Sequence, residues 1–361
     1  MSNGMKEKPV QLVHLGGSVP QTKEIAKLES IFLSRLESKA RKNIKRETCY
    51  LCGKPCDGFC KSHSIPKFML KKIAQSGKVI SFIDREMKPN AQDSGVGNAG
   101  TFSIICDNCD NTVFQKYESS NSYEQLPTGT MLAQVALKNY LQLIWKRTLE
   151  NEMYRLLMQR KPEAKAKAKV RIFWGQEDLA NYTHRFSHAK ESLAQQNGYH
   201  LCYYKKLDYV VPLATQSAIT MLCDFEDQII NDVYNPSNCF STEPIHIAVF
   251  PLETSSVIMM FIEQGEGKYR RFYRQLKKLP ENDQLAAINY IIFSYTENVY
   301  VYGPVADMVQ NDIRFKDTYT KTLDYYSFFQ SANPLPTAIR EFSLSKRNEI
   351  PNLLSKEYAI I

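Results

Sequence analysis

At 361 residues, 43% apolar and 23% charged, the chain has the make-up of a soluble globular protein with room for two or three domains, and no apolar run approaches the roughly 18 residues of a membrane span. The first residues lack the apolar run of a secretory signal, and nine cysteines, four of them in C-x2-C pairs, indicate a reducing, cytoplasmic setting without disulfides. Of the net charge of +8, residues 1–120 hold +7, from 19 Lys+Arg against 12 Asp+Glu, so one end of the chain is basic and the rest near neutral.

Residues 1–20, with Gly16, Gly17 and Pro20, read as a loose lead-in. From Thr22 the pattern is helical. Ile25, Leu28, Phe32 and Leu36 recur at three- and four-residue spacing, and Lys39, Arg41, Lys42, Lys45 and Arg46 follow as cations that suit a helix end or a nucleic-acid backbone. Then come Cys49-Tyr-Leu-Cys52 and, farther on, Cys106-Asp-Asn-Cys109. Each C-x2-C turn aims two thiolates at one ion, and two turns complete the four-sulfur shell of a structural zinc. Cys60 and His63 offer a competing local site with Cys49 and Cys52, and the two exclude each other, because a histidine bound to zinc is not a free base.

Between the knuckles, Pro66 opens a helix over Lys67–Gln75 that Gly77 stops, with Lys67 and Lys71 added to the basic set. Lys78–Ile83 alternates as a strand, Pro89–Gly100 reads as a loop, and Thr101–Ile105 as a second short strand. A helix continuing from Cys109 to Glu118 sets Asp110 and Glu118 on one face, a pair of hard oxygen donors for Mg²⁺ or Mn²⁺ or, for Asp110, simply a helix cap.

The order of parts over Cys49–Glu118, a knuckle, the segment Ser62-His63-Ser64-Ile65-Pro66, and a second knuckle running into a helix, resembles the zinc-containing HNH endonucleases of the His-Me finger superfamily. The resemblance covers about a fifth of the chain. It implies a treble-clef (ββα-metal-like) domain with zinc on Cys49, Cys52, Cys106 and Cys109, His63 as the general base that activates water, and Asp110 as a ligand of a catalytic Mg²⁺ or Mn²⁺. Asn98 or Asn111 would stand for the middle asparagine of the motif, while Ser62 occupies the place of a metal-binding carboxylate. DNA or RNA would be the substrate, and such domains fused to larger regions resemble bacterial antiviral defence and toxin effectors.

A long helix is expected over Thr130–Met158, as a strut between two halves, then a basic connector over Lys161–Lys169. From Val170 the texture reads as strand: His200–Tyr209, Ser217–Asp224, Ile245–Leu252 and Ser256–Glu263, the last two as a hairpin in an antiparallel sheet. Asp224, Glu226, Asp227 and Asp232 read as an acidic turn, and Cys202, Cys223 and Cys239 as thiols without metal spacing. Lys268–Lys278 is a helix whose aromatics pack inward or stack on bases, Asn282–Tyr302 an apolar helix, and further helix follows Gly303.

The expected class is therefore α+β. Residues 1–48 form a lead-in and basic helix, 49–125 the zinc domain, 126–170 a connecting helix and linker, and 171–361 a larger domain with an antiparallel sheet and packed helices. Two functions follow: an HNH-like metal-dependent endonuclease, or a non-catalytic zinc-stabilised protein that binds nucleic acid or protein. A protein partner or a second copy would engage the C-terminal domain.

Overall fold

The structure, a computed structural model, describes residues 23–83, 89–235, 237, 241–324 and 333–360. The lead-in over residues 1–20 and Cys239 lie outside these. In chain order, α1 (Lys23–Asn43) precedes the cysteine-knuckle stretch, which holds β1 (Ser62–His63), α2 (Lys67–Lys72), β2 (Lys78–Ile83), β3 (Pro89–Gly95), β4 (Thr101–Phe102) and α3 (Asp107–Val113). Two long helices follow, α4 (Gly129–Arg160) and α5 (Lys165–Gln195), then β5 (Tyr199–Leu207), β6 (Leu213–Ile219), β7 (Ile245–Pro251) and β8 (Ser256–Glu263). The chain ends with α6 (Arg270–Lys278), α7 (Glu281–Tyr295), β9 (Val299–Val301), α8 (Gly303–Val309), α9 (Ile313–Asp324) and α10 (Pro334–Phe342).

Seven strands form one antiparallel sheet in the order β3-β2-β9-β6-β7-β8-β5, and β1 pairs with β4 in a separate ribbon. The sheet joins strands from residues 78–95 to strands from 199–301 through the Ile80↔Val301 pairing. Helices cover both faces. On β7 and β8, Ile247, Val249, Ile258 and Met260 pack towards α6–α9, while Ala248, Phe250, Val257 and Met259 share a core with α4 and the cysteine-knuckle stretch. Two-sided burial is why β7 and β8 read as unbroken apolar runs.

Helix α4 begins where Thr128 accepts a hydrogen bond from the Met131 N–H. Its residues Met131–Leu141 are buried all round, so it is a core helix of both halves and not a strut between them. Helix α5 corrects the expectation of a connector and strand texture beyond Lys161. Lys, Ala, Glu and Gln are good helix formers, and the chain reverses at Pro162 to pack α5 against α4. Contact is close at Gly175, where an added Cβ would lie 2.1 Å from Asn151 Oδ1.

Other expectations shift by smaller amounts. On α1 the buried stripe is Leu33, Leu36 and Ala40, whereas Leu28 is 61% exposed, because the helix starts beyond the end of α4 on which it packs. Helix α2 stops at Lys72 with Pro66 as its N-cap, and Gly77 instead serves the turn between Gln75 and Lys78. Pro89–Gly95, expected as loop, pairs with β2, whose partner-facing backbone groups it satisfies. The second short strand is reduced to Thr101–Phe102. Helix α3 starts before Cys109 and ends at Val113. The second C-terminal segment, expected over Ser217–Asp224, pairs over Leu213–Ile219 and leaves the sheet before Met221. The apolar helix ends at Tyr295, and Val299–Val301 enters the sheet. On α6, Phe272, Tyr273 and Leu276 are buried, so its aromatics serve the core and are closed to bases. Asp224 accepts from the N–H groups of Glu226 and Gln228, which makes the acidic stretch a turn.

One buried titratable group sits between α4 and the sheet. His246 on β7 stacks on Phe261 (4.6 Å between centroids), accepts from Asn139 Nδ2 at 3.1 Å and lies 3.3 Å from the Tyr140 hydroxyl. Burial, with repulsion from Arg185, depresses it to about 3. An unfolded histidine protonates near 6.5, so between about 6.5 and 3 the unfolded chain binds the extra proton and stability falls as pH falls. His246→Phe is expected to flatten that dependence, and unfolding curves for the two proteins that stay parallel across this range would contradict it.

Candidate metal centre

The first knuckle is a tight turn. Cys49 N–H donates to Lys54 O at 2.9 Å and Gly53 N–H to Cys49 O at 2.8 Å, with Gly53 at φ +72°, a conformation that favours glycine. In the second, Cys106 is the N-cap of α3 and Cys109 lies one turn along. Cys106 N–H donates to Cys49 Sγ at 3.3 Å, so the two knuckles meet. The four Sγ atoms lie within 4.8 Å of one another, and among the described residues they are the one such group of His, Cys, Asp or Glu.

The donor set fits a metal. Thiolates held tetrahedrally at a Zn–S distance of about 2.3 Å stand about 3.8 Å apart. Cys49 and Cys109 Sγ are 3.8 Å apart. Burial pushes the Cys49 thiol up, but backbone donors from Cys52, Cys106 and Leu51 outweigh it and bring it down to about 7. Burial and the neighbouring sulfurs push Cys109 up. Four clustered thiols resist joint ionisation unless a cation sits among them, and a zinc ion would tie the two turns together.

The competing site is not assembled. The ring of His63 is turned to a backbone carbonyl, with Nε2 2.9 Å from Val96 O. A carbonyl only accepts, so Nε2 carries the proton and Nδ1 the lone pair. Burial lowers the His63 pKa, Lys67 and Lys138 lower it further, and Val96 and Asp110 oppose them, so the ring is neutral at pH 7. Its strand is pinned by the pairings Ser62↔Phe102 and His63↔Thr101 and by Ser64 Oγ donating to Asn298 Oδ1 at 2.9 Å. Gly100, at φ +62°, leaves room for that Ser64 hydroxyl, from which a Cβ would lie 2.5 Å away.

Asp110 and Glu118 do converge, on Lys138. Its ammonium lies 2.7 Å from Asp110 Oδ1, 3.0 Å from Glu118 Oε1 and 2.9 Å from Ser62 Oγ, and Ser62 donates to Asp110 at 2.5 Å. The Lys138 side chain is 1% exposed and lies 3.9 Å from the Phe114 ring centroid. Burial pushes Asp110 up, but Lys138, Ser62 and Cys60 outweigh it and hold the carboxyl below its usual range, whereas burial of Glu118 outweighs Lys138 and raises it. The cation between the two carboxylates is therefore the protein's own.

The remaining expected residues are at the surface. Asn111 is exposed, its carbonyl taken by Gln115, and Asn98 is exposed beside Lys61. Lys39, Lys42, Lys45, Lys67 and Lys71 are exposed, Lys67 near enough to His63 to act on its charge. Arg41 is committed to Glu37 and to the face of Trp145 (4.6 Å), and Arg46 lies over Tyr50 (4.9 Å). Lys138 was missed by sequence reasoning. Its signal was a lysine inside Met131–Leu141, since a cation in so apolar a run must find buried anions.

Comparison with protein-family models, with curated proteins and with solved structures finds no match. No described helix is long and apolar enough to cross a membrane.

Proposed function

We propose that the protein is a zinc-clasped nucleic-acid-binding protein laid out like an HNH nuclease, whose divalent-cation position is filled by Lys138 and which binds DNA or RNA without metal-dependent cleavage. The observation that carries this is the buried ammonium between Asp110, Glu118 and Ser62. A divalent ion and a lysine ammonium compete for the same oxygens, and the lysine is covalently present. The treble-clef reading is supported by two knuckles sharing four sulfurs around a β-ribbon. Backbone binding is supported by the exposed lysines of α1 and α2.

A second reading, the endonuclease, is favoured by one observation: a neutral His63 with its Nε2 tautomer fixed and, among the described residues, no partner on Nδ1, the state a general base requires. In that reading zinc remains structural, and Asp110 would leave Lys138 to hold Mg²⁺ or Mn²⁺.

One experiment separates them. Duplex DNA and structured RNA are titrated by fluorescence anisotropy across salt, and plasmid is incubated with Mg²⁺ or Mn²⁺. The first reading predicts salt-sensitive binding without cleavage, and Lys67→Ala with Lys71→Ala is expected to lower the log–log salt slope by about 2. Metal-dependent cleavage that His63→Ala abolishes would overturn it in favour of the nuclease.

A further inference from the structure

The basic segment Lys161–Lys169 plays no part in the knuckles or in the Lys138 site. It opens α5 at the turn from α4, and residues 155–173 across that turn carry net +6, from seven Lys+Arg against Glu163 alone. Residues 121–361 hold only +1 in all, so the positive charge of that part of the chain is concentrated here. Arg155 pairs with Glu152 at 3.5 Å, and Arg160 and Lys161 lie over the Phe32 ring. Lys165 and Lys169 are exposed and have no partner among the described residues.

Charge is half of the pattern. Helix α5 packs Ala168, Ile172 and Gly175 towards its neighbours, and at about 3.6 residues per turn its opposite side carries Ala166, Val170 and Phe173 in one stripe. Lys165 and Lys169 flank that stripe on one side and Lys167 on the other. All of these are exposed, Val170 by 52% and Phe173 by 47%. At the same end of the layer, where Phe32 and Leu33 share a small core with Ala168 and Ile172, α1 leaves Leu28 and Ile31 exposed. Single exposed apolar side chains need no explanation. An apolar stripe bracketed by lysines, on a helix whose other side is already packed, marks a surface that meets something.

We propose that the start of α5 docks on the surface of an anionic lipid bilayer, with Val170 and Phe173 set into the headgroup boundary and Lys165, Lys167 and Lys169 reaching acidic headgroups. An apolar centre with cationic margins suits a helix lying in the plane of the membrane, and no spanning segment is needed. The aliphatic residues decide against a polynucleotide at this face. Phosphates would engage the lysines, but Val170, Leu28 and Ile31 have no π surface to stack on a base and would stay in water. The same helix runs on to the first knuckle, where Phe186 packs on Tyr50 (5.0 Å between ring centroids) and Lys190 Nζ donates to Leu51 O at 3.0 Å. The docking end and the knuckles are thus joined through α5.

The full-length protein is sedimented with vesicles of phosphatidylcholine alone and of phosphatidylcholine mixed with phosphatidylserine, and its binding to duplex DNA is measured in parallel. Partition onto the anionic vesicles is expected to be at least tenfold stronger than onto the neutral ones and to fall with added salt. Val170→Ser with Phe173→Ser should weaken it at least tenfold and leave the melting temperature and DNA affinity unchanged, because both side chains are exposed. Lys165→Ala with Lys169→Ala should weaken it by a similar factor. No partition onto anionic vesicles at low salt overturns the proposal, as does partition that survives the loss of Val170 and Phe173, which is charge attraction alone. Lysine variants that lose DNA affinity and keep vesicle binding assign the face to polynucleotide, and a wild-type dimer that Phe173→Ser dissociates assigns it to a second copy. Either outcome also overturns it. The vesicle result is independent of whether the protein binds or cuts nucleic acid elsewhere.

Discussion

Cys52→Ser is expected to abolish binding of one zinc per chain and to lower the melting temperature well below that of Cys60→Ser or Cys202→Ser. Cys52 is the informative position because it is exposed, so its thiol packs against little and its loss removes a ligand and almost nothing else. Cys49 and Cys109 are buried and belong to the same core as Phe114, Tyr117 and the α4 residues Met131 and Leu137. Structural zinc supplies on the order of 10 kcal/mol in small modules that fold around it. Here the knuckles share their core with the sheet, so loss of a bound ion would spread beyond the knuckles instead of fraying a terminus. Zinc content by elemental analysis and unfolding by calorimetry check this. Cys60→Ser and Cys202→Ser serve as controls expected to keep the metal, the first because Cys60 lies outside the cluster. A Cys52→Ser protein that keeps its zinc and its melting temperature, with Cys60→Ser losing both, would return the metal to the competing site with Cys60 and His63.

How much of this was legible beforehand depends on whether the signal was local. The four-cysteine cluster was readable because C-x2-C is a turn whose two thiols point the same way whatever surrounds it. Strands β7 and β8 and helix α4 were readable from apolar runs and spacing, and the β7–β8 hairpin from the short gap between its two strands. Helix α5 was not, because much of its buried side, Ala168, Gly175, Ala189 and Ser192, consists of small residues whose fit against neighbouring elements is a tertiary fact that leaves a weak periodicity. Pairing of β2 with β9 joins residues more than two hundred positions apart, and no local pattern encodes that distance. The pairing of Asp110 and Glu118 was anticipated. What they hold was not, because Lys138 comes from a third element and reads as an ordinary helix residue until its burial is known.

Lys138 then gives the sharpest test of what the site has become. Removing one member of a buried ion pair costs about 3–5 kcal/mol, because the partner is left charged and desolvated, and Lys138→Ala leaves two carboxylates in that state. The same substitution opens a space bounded by the oxygens of Asp110, Glu118 and Ser62, which is a donor set suited to Mn²⁺ or Mg²⁺. Lys138→Ala is therefore expected to be strongly destabilised in metal-free buffer and partly restored by Mn²⁺, with binding visible by electron paramagnetic resonance, whereas the wild-type protein gains nothing from Mn²⁺. Lys138→Met, which fills the volume without the charge, separates packing from electrostatics: it should lose nearly as much stability as the alanine variant, because the unpaired carboxylates and not the cavity carry most of the cost. If the wild-type protein itself takes up Mn²⁺ at these oxygens, Lys138 is displaceable and the nuclease reading gains its metal. If neither variant responds to the ion, the three oxygens are a structural network that only a lysine completes, and His63 stands beside it as a base with no cation to work with.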